Sequence, residues 1–414
     1  MRTSSSVLAV AAFAALLATT SMVGCSPLAD RRGAAIAIEE LDGPFDPLSI
    51  RFTGLAPGSE VTLTAKANVD WIAHRSEAVF IADESGEVDL DDHAPVDGDW
   101  STAASMAPFW ALAPESGELA FLAAYADQFD VELTLTGADG TVLAGTTVER
   151  GIAPGAVAVE EVTDGGLVGA YASPAPSATA ETGPRAAVLV FSGSDGGIQF
   201  ARLLARQLAA AGYPALAVSY FGSPGQPAEL DEVPLETFVS GAEWLAARDG
   251  VDPDRITAFG ASRGGEAALW LAAEHPSLVR GAIAPVGAGE LWCGYPDGTR
   301  SAWTLAGIAT PCSMDPAAPP PDSIIDLARI DGPVVLACGT HDAVWDSCLL
   351  MDRTARRASA AGLDVTALTG DGASHSIPLD PYLPAFPDTD AAADSASRAE
   401  FWRAAFEALG PPTL

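Results

Sequence analysis

The residues from Arg255 to Leu271 constrain this chain more than any others. They read as a short β-type run (Ile256 to Phe259), a Gly-Ala-Ser-Arg-Gly turn at 260–264, and an Ala/Leu-rich helical run. Gly260 and Gly264 stand where a strand and the helix leaving it pass too close for a Cβ. The turn between them holds Ser262 in a strained conformation with its Oγ exposed at the end of a sheet. A structural serine in a tight turn is the plainer reading of the five residues alone. The strand before and the helix after make Ser262 a predicted nucleophile.

The rest of the C-terminal part has the pattern such a turn needs. Ala187 to Phe191 is a continuous apolar run, as expected of a strand buried on both faces. A helix from Phe200 to Ala211, a strand from Ala215 to Ser219 and a helix around Leu235 to Arg248 follow. Further strands are expected at 281–286, 333–338 and 365–368. This order predicts an α/β fold with a mostly parallel, doubly wound sheet, the α/β-hydrolase arrangement. Residues 290–321 are irregular and rich in proline, and are expected to lie over the site as a lid or insertion. The part before about residue 150 reads as β instead, with alternating runs at 49–52, 60–65, 78–81 and 131–135 separated by turn signals. It suits an antiparallel, immunoglobulin-like β-sandwich. The expected organisation is a sandwich domain over 34–156 and a catalytic domain over 157–414 that opens with an edge hairpin. The Pro/Ala/Ser-rich stretch at 171–180 is either a hairpin tip or a linker. Trp100, Phe109 and Trp110 are expected to pack between the domains.

A serine nucleophile needs a base, and the base needs a carboxylate to orient it. In the chain order Ser, acid, His, the last two belong on loops after the final strands. Asp342 follows the strand ending at Cys338, and His375 follows the strand ending near Leu368, so His375 is the expected base and Asp342 its partner, with Asp346 as competitor. His341 shares the acid's loop, and His275 precedes Pro276 at a helix end; neither suits the base. His74 and His93 read as surface or structural. The oxyanion hole is expected from the backbone amides of Arg263 and Ser194. Residues 193–197 lack the GxGxxG spacing of a dinucleotide site, and no cofactor is expected.

The N-terminus points to export. Arg2, an apolar run from Val7 to Met22 and the small residue Gly24 describe a signal peptide over 1–24. Cys25 directly after it resembles a bacterial lipoprotein box, which implies acylation of Cys25 and membrane association only through that lipid; an ordinary cleaved signal is the alternative. The net charge is −34 and Lys66 is the sole lysine, so nucleic-acid binding is excluded as a function class. The other four cysteines (293, 312, 338 and 348) suggest two disulfides. Three connectivities exist, and the sequence-local pairing Cys293–Cys312 and Cys338–Cys348 is the expected one. Their spacing suits no metal site.

Several stretches together resemble the acyl-CoA thioesterase and bile acid-CoA:amino acid N-acyltransferase family. They are residues 191–197, Tyr220-Phe221-Gly222, Val233-Pro234-Leu235-Glu236, the Ser262 turn, 339–345 and 372–378, with 55–63, 86–90 and 106–110 on the N-terminal side. The resemblance runs from about residue 40 to 410. It implies Ser262, Asp342 and His375 as a catalytic triad acting on a small-molecule acyl thioester or ester. The family's transferase branch carries a cysteine nucleophile, and a serine favours hydrolysis. An extracellular carboxylesterase or amidase, an N-acyltransferase, and a surface lipoprotein that only binds are the competing expectations.

Overall fold

The computed structural model describes residues 33–39, 45–117, 125, 127–176, 183–384, 386 and 389–413. The expected signal peptide and Cys25 lie outside the described residues, as do 177–180 of the proposed linker.

The C-terminal part is built on an eight-stranded sheet. In spatial order its strands are Val157–Asp164, Leu167–Pro174, Ala215–Ser219, Arg185–Phe191, Val251–Gly260, Gly281–Pro285, Val334–Gly339 and Val365–Gly370. The first two form an antiparallel hairpin at one edge, and the second also pairs antiparallel with Ala215–Ser219. Every later pairing is parallel. The central strands are buried over most of their length because helices cover both faces, and every residue of Ala215–Ser219 and Gly281–Pro285 is buried. Residues 172–174, assigned to a hairpin tip or linker by composition, instead extend the second strand. Ala172 pairs with Ala215 on one side, and 172–174 pair with 157–159 on the other. The C-terminal helix Ala391–Leu409 packs Phe401 and Trp402 onto Phe259 of the elbow strand, with ring centroids 6.0 and 5.5 Å apart.

The N-terminal part holds two antiparallel sheets. One has three strands, Ala35–Glu39, Ser49–Thr53 and Val88–Asp89. The other has six, centred on the hairpin Glu60–Val69 and Ile72–Ile81. Strict alternation buries Val61, Leu63, Ala65, Ala67 and Val69 on one face. The hairpin turns through Asp70 and Trp71, both at positive φ (49° and 66°), a two-residue turn without the usual Asn-Gly signal. That is why the sequence showed only the ends of these strands. Ile50, Phe52, Phe80, Trp100, Phe109 and Trp110 share one core. Leu203, Leu379 and Leu383 from the C-terminal part join it, so this core backs onto the elements that carry the candidate site. His74 is structural, bonded through Nε2 to the Tyr125 hydroxyl at 2.9 Å, and burial lowers its pKa.

Candidate active site

The strand Val251–Gly260 runs straight into the helix Arg263–Glu274, and Ser262 takes the whole turn at φ 54°, ψ −121°. A non-glycine residue held there is strained, and its neighbours enforce the strain. A Cβ on Gly260 would lie 1.9 Å from the Gly264 carbonyl oxygen, and one on Gly264 would lie 2.3 Å from that of Ser192. Both glycines are therefore obligatory at the elbow. The loop after Arg185–Phe191 crosses in front of the serine: a Cβ on Gly193 would sit 3.6 Å from Ser262 Oγ. Tyr220 clamps that loop, its buried hydroxyl 2.7 Å from both the Ser192 and Gly193 carbonyl oxygens.

Asp342 and His375 meet across the ends of the last two strands. His375 Nδ1 lies 2.7 Å from Asp342 Oδ2, while Asp342 Oδ1 accepts from the amides of Val344 (2.9 Å) and Trp345 (3.3 Å). Burial alone would raise the Asp342 carboxyl; hydrogen bonding and charge from His375, with help from Ser347 and Val344, outweigh it and hold the group below the ordinary carboxylate range. Asp346 does not compete. Its Oδ1 accepts from Leu349 N and caps the helix Ser347–Ala360. His341 does not line the cavity described next, and His275 ends the elbow helix.

Ser262, His375, Ser194 and Asp195 open into one cavity of about 690 Å³. Its remaining wall is mostly apolar: Phe200 and Leu203 from the helix Gln199–Ala210, Val286, Val344, and Leu379 and Phe386 from the segment after His375. Arg263 begins the elbow helix, so its amide faces the same turn as Ser262. Its side chain points away into the interior.

The expectation of a lid over 290–321 is overturned. None of these residues lines the cavity. Strands Trp303–Leu305 and Ile308–Ala309 join Val233–Pro234 in a small separate sheet. The physical reason is an internal anchor. Arg263 pairs with Glu266 and donates to the carbonyls of Trp292 (3.1 Å) and Cys293 (3.0 Å). Glu266 accepts from Trp292 N and Trp303 Nε1, both at 2.9 Å. Burial pushes the Glu266 carboxyl up, against the pull of Arg263 and these donors. Cys293–Cys312 closes the same segment and Cys338–Cys348 spans the acid loop, the expected pairing in both cases.

Several supporting residues were not singled out in the sequence. Asp394 accepts from Ser374 N (2.7 Å) and Ser374 Oγ (3.0 Å), fixing the backbone beside His375. Arg398 donates through Nε to the Ser376 carbonyl at 3.1 Å, and burial lowers its pKa to about 10. An Asp and an Arg four apart on a helix are the available signal, though most such pairs lie on surfaces. Trp345 sets its ring 6.5 Å from that of His375 and donates to the Val286 carbonyl at 3.0 Å.

Residues 46–164 match the family model for the acyl-CoA thioester hydrolase/BAAT N-terminal region, and residues 204–377 match that for the prolyl oligopeptidase family. Human mitochondrial acyl-coenzyme A thioesterase 2 is 26% identical over 339 residues, covering 77% of this chain and 68% of that protein. Rat acyl-coenzyme A amino acid N-acyltransferase 2 is 30% identical over 241 residues, 55% of each. Among solved structures, a Pyrobaculum calidifontis esterase is 19% identical over 60% of this chain and 85% of its own, with a TM-score of 0.40. With the family's N-terminal region matched ahead of an α/β-hydrolase sheet, the chain is a relative of the acyl-CoA thioesterases and acyl-CoA amino acid N-acyltransferases.

Proposed function

We propose that this protein is a serine acyl hydrolase that cleaves an acyl thioester or ester through an acyl-Ser262 intermediate. The observation that carries the reading is that His375, paired with Asp342, opens into the same apolar cavity as the elbow serine. Ser262 Oγ attacks the acyl carbonyl while His375 Nε2 takes its proton, and Asp342 holds Nδ1–H and the imidazolium that forms. The amides of Ser194 and Arg263 receive the oxyanion, the second helped by the N-terminus of its helix. Collapse expels the thiol or alcohol, protonated by His375. Water, deprotonated in turn by His375, then attacks the acyl-serine, and the carboxylic acid leaves with Ser262 restored. The apolar wall suits an acyl chain. Similarity to N-acyltransferases favours one second reading, in which an amine resolves the intermediate.

The same proposal includes export with removal of residues 1–24, acylation of Cys25, and a division into an immunoglobulin-like domain (34–156) and a catalytic one (157–414). Two disulfides are in keeping with an oxidising compartment. The test is labelling with a fluorophosphonate, wild type against Ser262→Ala, alongside turnover of thioesters and esters with and without amine acceptors. Labelling confined to wild type is expected; equal labelling removes Ser262 from the mechanism.

A further inference from the structure

Besides the elbow and Val286, the residues that line the cavity come from three stretches, 193–203, 343–344 and 374–389. None of the described residues that line it is a lysine or arginine. Asp195 is the aspartate that lines the cavity. It lies three residues after Ser192, on the loop that crosses Ser262. Arginines that adjoin the lining residues or the elbow are engaged elsewhere, and Arg202 pairs with Glu161. Arg263 is only 7% exposed and is closed on Glu266 and two carbonyls. Arg398, 2% exposed, is held between Ser376 and Asp394. Beyond the site the field has the same sign, since the chain carries 55 acidic side chains against 21 basic ones.

A leaving group that carries several phosphates needs paired cations or free backbone amides near the cavity mouth. Here it meets a carboxyl and a negative field. Resting on the acyl-hydrolase reading above, we propose that the site takes acyl esters and thioesters with neutral or cationic leaving groups and disfavours the polyphosphate of coenzyme A, with Asp195 as the discriminating side chain. The apolar wall binds the acyl part in either case, so the discrimination falls on the leaving group. This departs from what the relatives' names alone would give.

The experiment compares hexanoyl-CoA with hexanoyl-pantetheine, which share the acyl group, the thioester and the neutral pantetheine arm and differ in the phosphorylated adenosine end. At low ionic strength kcat/KM should favour the neutral thioester by about tenfold or more. Added salt should narrow the gap by raising turnover of the CoA ester alone, a readout that needs no variant. Asp195→Asn should narrow it by about threefold or more. Equal or better use of hexanoyl-CoA overturns the inference and leaves the Ser262 mechanism standing. A neutral preference that Asp195→Asn leaves unchanged overturns the role of Asp195. Ser262 labelled by fluorophosphonate without turnover of the neutral thioester overturns the substrate class. No turnover of either thioester with Ser262 unlabelled takes down the hydrolase reading itself, and the inference with it.

Discussion

Ser262 and the glycines around it show how much a single position can demand. Gly264→Ala places a methyl 2.3 Å from the Ser192 carbonyl oxygen, backbone against backbone, with nothing free to move aside. It should cost about 3 kcal/mol or more, read as a loss of folded protein or a fall in Tm. Gly197→Ala meets nothing within 4 Å, and only its φ of +66° opposes it. That substitution should cost about 1–2 kcal/mol. If the two melt alike, the elbow is not held by close approach. At Asp342 the expected change is in rate. Asp342→Asn keeps the shape but supports the wrong His375 tautomer, so kcat should fall by about 10⁴ with KM little altered. Steady-state kinetics on a neutral ester would show it.

At the scale of elements, the elbow helix does two jobs from its first turn. Its N-terminus faces the proposed oxyanion position, while Arg263 and Glu266 turn inward and hold the 290–321 segment. Glu266→Ala leaves Arg263 buried without a carboxylate. It should destabilise by about 3–5 kcal/mol in a urea titration, whereas a surface pair such as Arg403–Glu407 should contribute under about 1 kcal/mol. The Cys338–Cys348 bridge closes a ten-residue separation around the acid loop. Replacing both cysteines with serine should cost about 2–3 kcal/mol of stability. If Asp342 depends on that closure, kcat should drop as well, and an unchanged kcat would show the loop holds itself through Val344 and Trp345.

For the whole molecule, charge sets the expected pH dependence. Burial raises the carboxyls of Glu266 and Asp380, so their contributions to stability are complete below the ordinary carboxylate pKa and fade as pH rises through their higher folded values. Asp342 is depressed, so its contribution is present above the ordinary value of about 4 and is lost as pH falls through its lower folded value. A net charge of −34 adds repulsion that grows toward neutral pH. Together these place the Tm maximum at mildly acid pH, about 4 to 6, above the value at pH 8. Calorimetry across pH 3–8 checks it, and added salt should raise Tm at pH 8 but little at pH 5.

Sequence alone was sufficient wherever the cause is local or periodic. The apolar runs of the parallel strands, the Gly-x-Ser-x-Gly turn, the order Ser262, Asp342, His375 and the nearest-neighbour cysteine pairing were all legible, because each follows from backbone sterics, burial on two faces or chain proximity. The tertiary structure decided what depends on groups far apart in the chain. It turned residues 172–174 into a strand by supplying partners at 157–159 and at Ala215. It drew the 290–321 segment inward because Glu266 and Trp303, 37 residues apart, satisfy one another in the interior. It also placed Asp195 in the cavity while Arg263, adjacent to the nucleophile, turned away, a choice made by the buried carboxylate of Glu266 and not by position in the sequence.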